Sequence, residues 1–108
     1  MRGHRVVVVD DDRAVRDLFA HYLRPPRFEL HAFARAGAAL AGLPALEPDL
    51  IVSDIMMPDM DGRELFRRVR ADPALLVVPF IFLTAVRSAA LVAELRAEGA
   101  EDYLVKPF

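Results

Sequence analysis

The chain contains no cysteine, so disulfides and thiolate chemistry are excluded, and a zinc site would have only three scattered histidines to draw on. Neither sign of charge dominates: 14 basic residues stand against 16 acidic ones, for a net charge of −2. That balance offers no field for a phosphate backbone or an anionic lipid surface, so direct nucleic-acid binding is not expected. Apolar runs are of strand length, far short of a bilayer span, and no membrane association is expected. The basic stretch Met1–Arg5 leads into four valines and an acidic cluster, which is not the pattern of a signal peptide. Linkers, repeats and low-complexity tracts are also missing. What is present points to a packed core: 55% of residues are hydrophobic, and the mean hydropathy of +0.25 lies well away from disordered composition. The 108 residues suffice for one domain, expected to be cytoplasmic.

Four apolar runs recur, at Val6–Val9, Leu50–Val52, Phe80–Leu83 and Tyr103–Val105. None alternates, as expected of strands buried on both faces. Phe28–Phe33 does alternate, which suits an edge position. Between them lie helical stripes. Val15, Leu18, Phe19, Tyr22 and Leu23 share one face, stopped by Pro25–Pro26. Leu65, Phe66 and Val69 follow the N-cap candidate Asp61 and end before Asp72–Pro73. Leu91, Val92 and Leu95 follow the cap candidate Ser88 and close at Gly99. Ala34–Leu43 reads as a weaker helix, lowered by Gly37 and Gly42. Strands alternating with helices predict a mostly parallel α/β sheet, whose ligands bind beyond the carboxyl ends of the strands.

With Phe28–Phe33 counted as the second strand, the strand ends carry the chemistry: Asp10–Asp11–Asp12 after the first strand, Ser53–Asp54 after the third, Thr84 after the fourth, Lys106–Pro107 after the fifth. Taken singly, an Asp after a strand is a helix N-cap or turn residue, and a Thr or Lys there is surface decoration. Three consecutive aspartates exceed what capping needs. If the first and third strands are neighbours, their carboxylates face one another, and such a cluster requires a cation, a lysine or a raised pKa. The few oxygen ligands suit Mg²⁺ better than a full Ca²⁺ cage.

The segments VVVVDDD at Val6–Asp12, SDIMMPDMDG at Ser53–Gly62, FLTA at Phe82–Ala85 and GAEDYLVKPF at Gly99–Phe108 resemble, in order and spacing, the receiver domain of bacterial two-component response regulators. The resemblance covers residues 1–108 and implies a five-stranded parallel sheet of flavodoxin-like, doubly wound topology, here without the family's final helix. It implies a signalling module, not an enzyme, in which Asp54 accepts a phosphoryl group from a sensor histidine kinase or phosphotransfer protein. Asp10, Asp11, Asp54 and the carbonyl of Met56 would hold Mg²⁺. Thr84 and Lys106 would contact the phosphoryl group, and Thr84 with Tyr103 would form the conformational switch. Lys106–Pro107 would carry a cis peptide.

Two other readings compete. A Mg²⁺-dependent phosphohydrolase would want a second acid two residues after Asp54, where Met56 stands. A degenerate receiver serving only docking or dimerisation would not need the complete set of site residues. Met56, Met57 and Met60 are read as turn and packing residues, and Arg63, Arg67, Arg68 and Arg70 as a solvated helix face. His4, His21 and His31 fall outside every constellation. Met56 and Val86 place apolar bulk beside the site, which predicts slow loss of a phosphoryl group. With one helix fewer over the sheet, an uncovered apolar strip and a possible homodimer are expected.

Overall fold

A computed structural model describes residues 3–85 and 88–106. The elements run β1 (His4–Val9), α1 (Arg13–Tyr22), β2 (Phe28–Phe33), α2 (Ala36–Gly42), β3 (Leu50–Asp54), α3 (Gly62–Ala71), a short 3-10 turn at Pro73–Leu75, β4 (Phe80–Thr84), α4 (Ala89–Ala97) and β5 (Asp102–Val105). All strand pairs are parallel, in the order β2-β1-β3-β4-β5. The chain runs outward from β1 to β2 and then returns across β1 to β3. The strand order therefore reverses between β1 and β3, which puts the crevice favoured by ligands just beyond Val9 and Asp54.

Helix boundaries follow the punctuation in the sequence. Asp12, Asp61 and Ser88 each accept a backbone N–H of the first turn that follows them. Gly99 sits at φ +101°, a conformation in which a side chain would be strained, just past the end of α4. Asp72 caps both the end of α3 and the turn after it. Helix α2 is shorter than the stripe at Ala34–Leu43 suggested, and its N-cap Arg35 makes no side-chain capping bond.

The sheet divides the core into two unequal layers. On one face Val7, Val9, Ile51, Phe80 and Phe82 meet Ala36 and Ala39 of α2, Leu65, Phe66 and Val69 of α3, and Leu95 of α4. Phe66, Phe80 and Phe82 pack in edge-to-face and tilted pairs with ring centroids 5.0–5.7 Å apart. Each such side chain contributes about 2–3 kcal/mol on burial. On the other face Val6, Val8, Val52 and Leu83 are covered, among the described residues, by α1 alone of the helices, through Val15, Phe19 and Leu23.

This asymmetry corrects one expectation. Tyr103–Val105 is not buried on both faces: β5 is an edge strand, and Leu104 is 41% exposed. Leu104 borders an open apolar groove of about 420 Å³ with Leu18, Phe19, Tyr22 and Leu23 of α1. An apolar run reads the same whether or not a helix lies over it, so periodicity could not reveal the gap. Phe28–Phe33 takes the other edge, as its alternation indicated. No helix among the described residues is long and apolar enough to cross a membrane.

Candidate functional site

The hydrogen-bond register places Val9 opposite Ser53, so Asp10 and Asp54 emerge side by side at the carboxyl edge. Carboxylate oxygens of Asp10, Asp11 and Asp54 lie within 4.8 Å of one another. Asp10 is fully buried and Asp54 nearly so, whereas Asp11 faces solvent. Like charges at 4.8 Å repel by about 3.5 kcal/mol at an effective dielectric of about 20. The fold accepts this cost and fixes Asp10 and Asp54 in place.

Asp10 is held from three directions. Its amide donates to the Phe33 carbonyl at 3.0 Å, its carbonyl accepts the Arg16 guanidinium at 2.8 Å, and its Oδ1 accepts the Asp12 amide at 2.9 Å. Asp54 ends β3 without capping a helix, so the cap reading does not apply to it; Asp61 performs that task. The Met56 amide hydrogen-bonds the Asp54 carboxylate. Gly62 packs so closely on the Asp54 carbonyl that a Cβ there would collide with it, and its amide donates to Ile55 O at 2.8 Å.

Lys106, the only lysine in the chain, enters from β5. Its amide donates to Thr84 O at 2.8 Å, anchoring the backbone just where the side chain must turn inward. Nζ lies 2.8 Å from Asp10 Oδ2 and 3.3 Å from Asp54 Oδ2. The contact with Asp54 is a hydrogen bond, while that with Asp10 is an ion pair whose angles leave Oδ2 without a directed hydrogen bond. A compact ammonium suits this position between two carboxylates better than a planar guanidinium would.

The electrostatics follow from the geometry. Burial, then the Asp10 charge, raises the Asp54 pKa, with Lys106 and the Met56 amide only partly opposing. Burial works against the Lys106 ammonium, but Asp10 and then Asp54 outweigh it and hold the proton on more tightly. Among the described residues, three carboxylates meet one ammonium, so acidic groups outnumber the cation directly paired with them. Together with the buried, undirected Asp10 Oδ2 and the all-oxygen donor set, this fits a hard divalent cation such as Mg²⁺.

Thr84 ends β4, buried and paired with Val105. Tyr103, paired with Phe82, lies on the same face two residues earlier on β5. It borders a groove of about 660 Å³ against α4, with Arg96 5.9 Å above its ring. Val86 and the Lys106–Pro107 peptide lie outside the described residues.

The methionines divide as expected: Met57 and Met60 pack on the core while the Met56 side chain is 76% exposed. The arginines form a solvated face only in part: Arg67 and Arg68 are exposed, but Arg63 bonds Glu94 of α4 and Glu98 at its C-terminal cap at 3.2 and 3.0 Å, Arg67 joins at Glu98, and half-buried Arg70 lies over the Phe66 ring. The hydrogen bond from Arg63 is the main reason that the Glu98 pKa is lowered. Sequence reasoning also passed over Arg16 and Asp59. Asp59 accepts the amides of Ala36 and Gly37 at 3.3 and 2.9 Å, and the Gly37 bond leads in lowering its pKa.

Comparison with known proteins agrees with this geometry. The family described as response regulator receiver domain matches residues 6–108. The C4-dicarboxylate transport transcriptional regulatory protein DctD of Rhizobium meliloti is 39% identical over 104 residues, 95% of this chain but 22% of that protein. The DNA-binding response regulator MtrA of Mycobacterium tuberculosis is 36% identical over 96% of this chain and 44% of its own length. The chain thus spans less than half of these curated relatives. Among solved structures, the chemotaxis response regulator CheY4 of Vibrio cholerae superposes with a TM-score of 0.91 at 34% identity, covering 98% of this chain and 88% of that one. A response regulator from Chloroflexus aurantiacus gives 0.89 at 33% identity, with coverage of 99% and 88%. On its sequence match and its strand order alike, the chain belongs to the response regulator receiver domains of two-component signalling.

Proposed function

We propose that this domain accepts a phosphoryl group on Asp54 from a phosphohistidine of a sensor kinase or phosphotransfer protein, and switches conformation in response. The observation that carries the reading is the Asp54 carboxylate, nearly buried, facing Asp10 and bonded to the ammonium of Lys106. An Asp54 oxygen attacks phosphorus as the P–N bond to the donor imidazole breaks. The electron pair leaves with the imidazole, and an acyl phosphate remains on the protein. Charge neutralisation and positioning carry most of such a transfer. Lys106 offsets negative charge on the phosphoryl oxygens, and the Met56 amide orients the attacking carboxylate. Asp10, Asp11, Asp54 and the Met56 carbonyl would hold Mg²⁺, which when bound supplies further neutralisation of the phosphoryl oxygens. Thr84 would then turn toward the new oxygens and free space for Tyr103, a shift between two packings. The cytoplasm, where kinase and Mg²⁺ are found together, is the expected setting.

Incubation with acetyl phosphate and Mg²⁺ tests this. The intact mass should gain a single phosphate, and Asp54→Asn or added EDTA should abolish the gain. Labelling that persists in Asp54→Asn would place the acceptor elsewhere.

A further inference from the structure

We propose that Asp59 is a positioning residue for the cation site, fastening the loop that carries Met56 to the start of α2. The inference rests on reading the Asp10–Asp11–Asp54 cluster as a Mg²⁺ site completed by the Met56 carbonyl. Helix α2 has no cap of its own, because Arg35 makes no side-chain bond at its N-terminus. Its first amides are instead received by a carboxylate more than twenty residues further along the chain, Asp59, at 3.3 Å from Ala36 N and 2.9 Å from Gly37 N. The absence of a side chain at Gly37 permits this approach: a Cβ there would stand 3.3 Å from Asp59 Oδ2, tighter than ordinary contact.

The consequence falls on the segment between Asp54 and α3. At its far end Gly62 is wedged on the Asp54 carbonyl, and Met57 and Met60 turn inward onto the core. Met56 has no such anchor, since its side chain points into solvent. Its backbone nevertheless has to present the amide to Asp54 and the carbonyl to the cation. Apolar contacts at Met57 and Met60 resist withdrawal of the loop but tolerate sliding, whereas hydrogen bonds from two amides fix direction. Asp59 supplies that directional restraint three residues from Met56 without touching the site itself.

Calorimetric Mg²⁺ titration of the unphosphorylated domain, with amide chemical shifts recorded alongside, distinguishes the possibilities. Asp59→Ala should weaken Mg²⁺ about tenfold, the low end of what indirect supports of a metal site contribute. The Met56 amide should shift, and those of Asp10 and Asp11 should not. Asp59→Asn, which keeps an acceptor oxygen, should recover part of the affinity. Gly37→Ala, which favours the helix but crowds the carboxylate, should weaken Mg²⁺ while leaving the melting temperature in EDTA equal or higher. Mg²⁺ affinity within about twofold of wild type in Asp59→Ala would overturn the proposal, since a supporting group should cost more. Failure of the wild-type domain to bind Mg²⁺, or equal binding by Asp11→Ala, would overturn the underlying site reading as well.

Discussion

Replacing Lys106 by methionine keeps the length and the apolar stem of the side chain but removes the one ammonium or guanidinium that, among the described residues, pairs with the carboxylates of the cluster. At 2.8 Å from Asp10 and 3.3 Å from Asp54, the gross attractions are about 6 and 5 kcal/mol at an effective dielectric of about 20. Desolvation of the ammonium consumes much of this. Breaking a buried pair costs about 3–5 kcal/mol, and the 20% exposure of Lys106 puts the expectation at the lower end, about 3 kcal/mol. For a domain of this size that corresponds to a fall in melting temperature of about 12 °C in EDTA. Two further signatures separate electrostatics from lost packing. The deficit should shrink as pH falls, because Asp54, whose pKa is already raised, takes up a proton and relieves the repulsion. Mg²⁺ should then stabilise Lys106→Met, since binding only the folded state shifts the equilibrium by mass action. Thermal unfolding monitored by circular dichroism would measure all three. A fall of less than about 3 °C, independent of pH, would mean that the ammonium does not neutralise the cluster.

Other perturbations follow from the same charges and surfaces. Because the folded-state pKa of Asp54 is raised, its contribution favours folding at low pH and is lost as pH rises through that value. Asp54→Asn should therefore melt above wild type at neutral pH in EDTA and gain less from Mg²⁺; a lower melting point would contradict the strain assigned to this carboxylate. Glu98 has a lowered pKa, so its contribution is present above the ordinary carboxylate range and lost as pH falls through the folded value. Arg63→Ala should cost about 1 kcal/mol in urea unfolding at neutral pH, and the difference should narrow below about pH 4. The groove between α1 and Leu104 should drive weak self-association of the domain, which sedimentation would detect and Leu104→Ser should reduce. Equal sedimentation of the two proteins would show that this strip is not the contact.

The parts of the fold visible in the sequence were those set by local chemistry. Val6–Val9 and Phe80–Leu83 are apolar because both faces are covered, and Asp61, Ser88 and Gly99 mark helix ends through bonds and angles within a few residues. The clustering of the candidate residues was legible because strand ends in a parallel sheet share one edge, which brings Asp10, Asp54, Thr84 and Lys106 into neighbouring positions. Contacts that depend on how helices pack were not legible. Nothing near Asp59 marks it as the cap of α2, and nothing near Arg63 announces Glu98 at the end of α4. The exposure of Leu104 was not legible in the periodicity of its strand, since cover is supplied by a different element, although an uncovered apolar strip was expected from the family resemblance.

The most direct test of the account is to reduce the phosphorylated domain with borohydride and locate the product by peptide mass mapping. An acyl phosphate on aspartate is reduced to homoserine, whereas a phosphoester or an unmodified carboxylate is not. Homoserine is expected at position 54 alone, formed only after treatment with acetyl phosphate and Mg²⁺. Homoserine at Asp10 or Asp11, or none anywhere in a protein carrying phosphate, would contradict it.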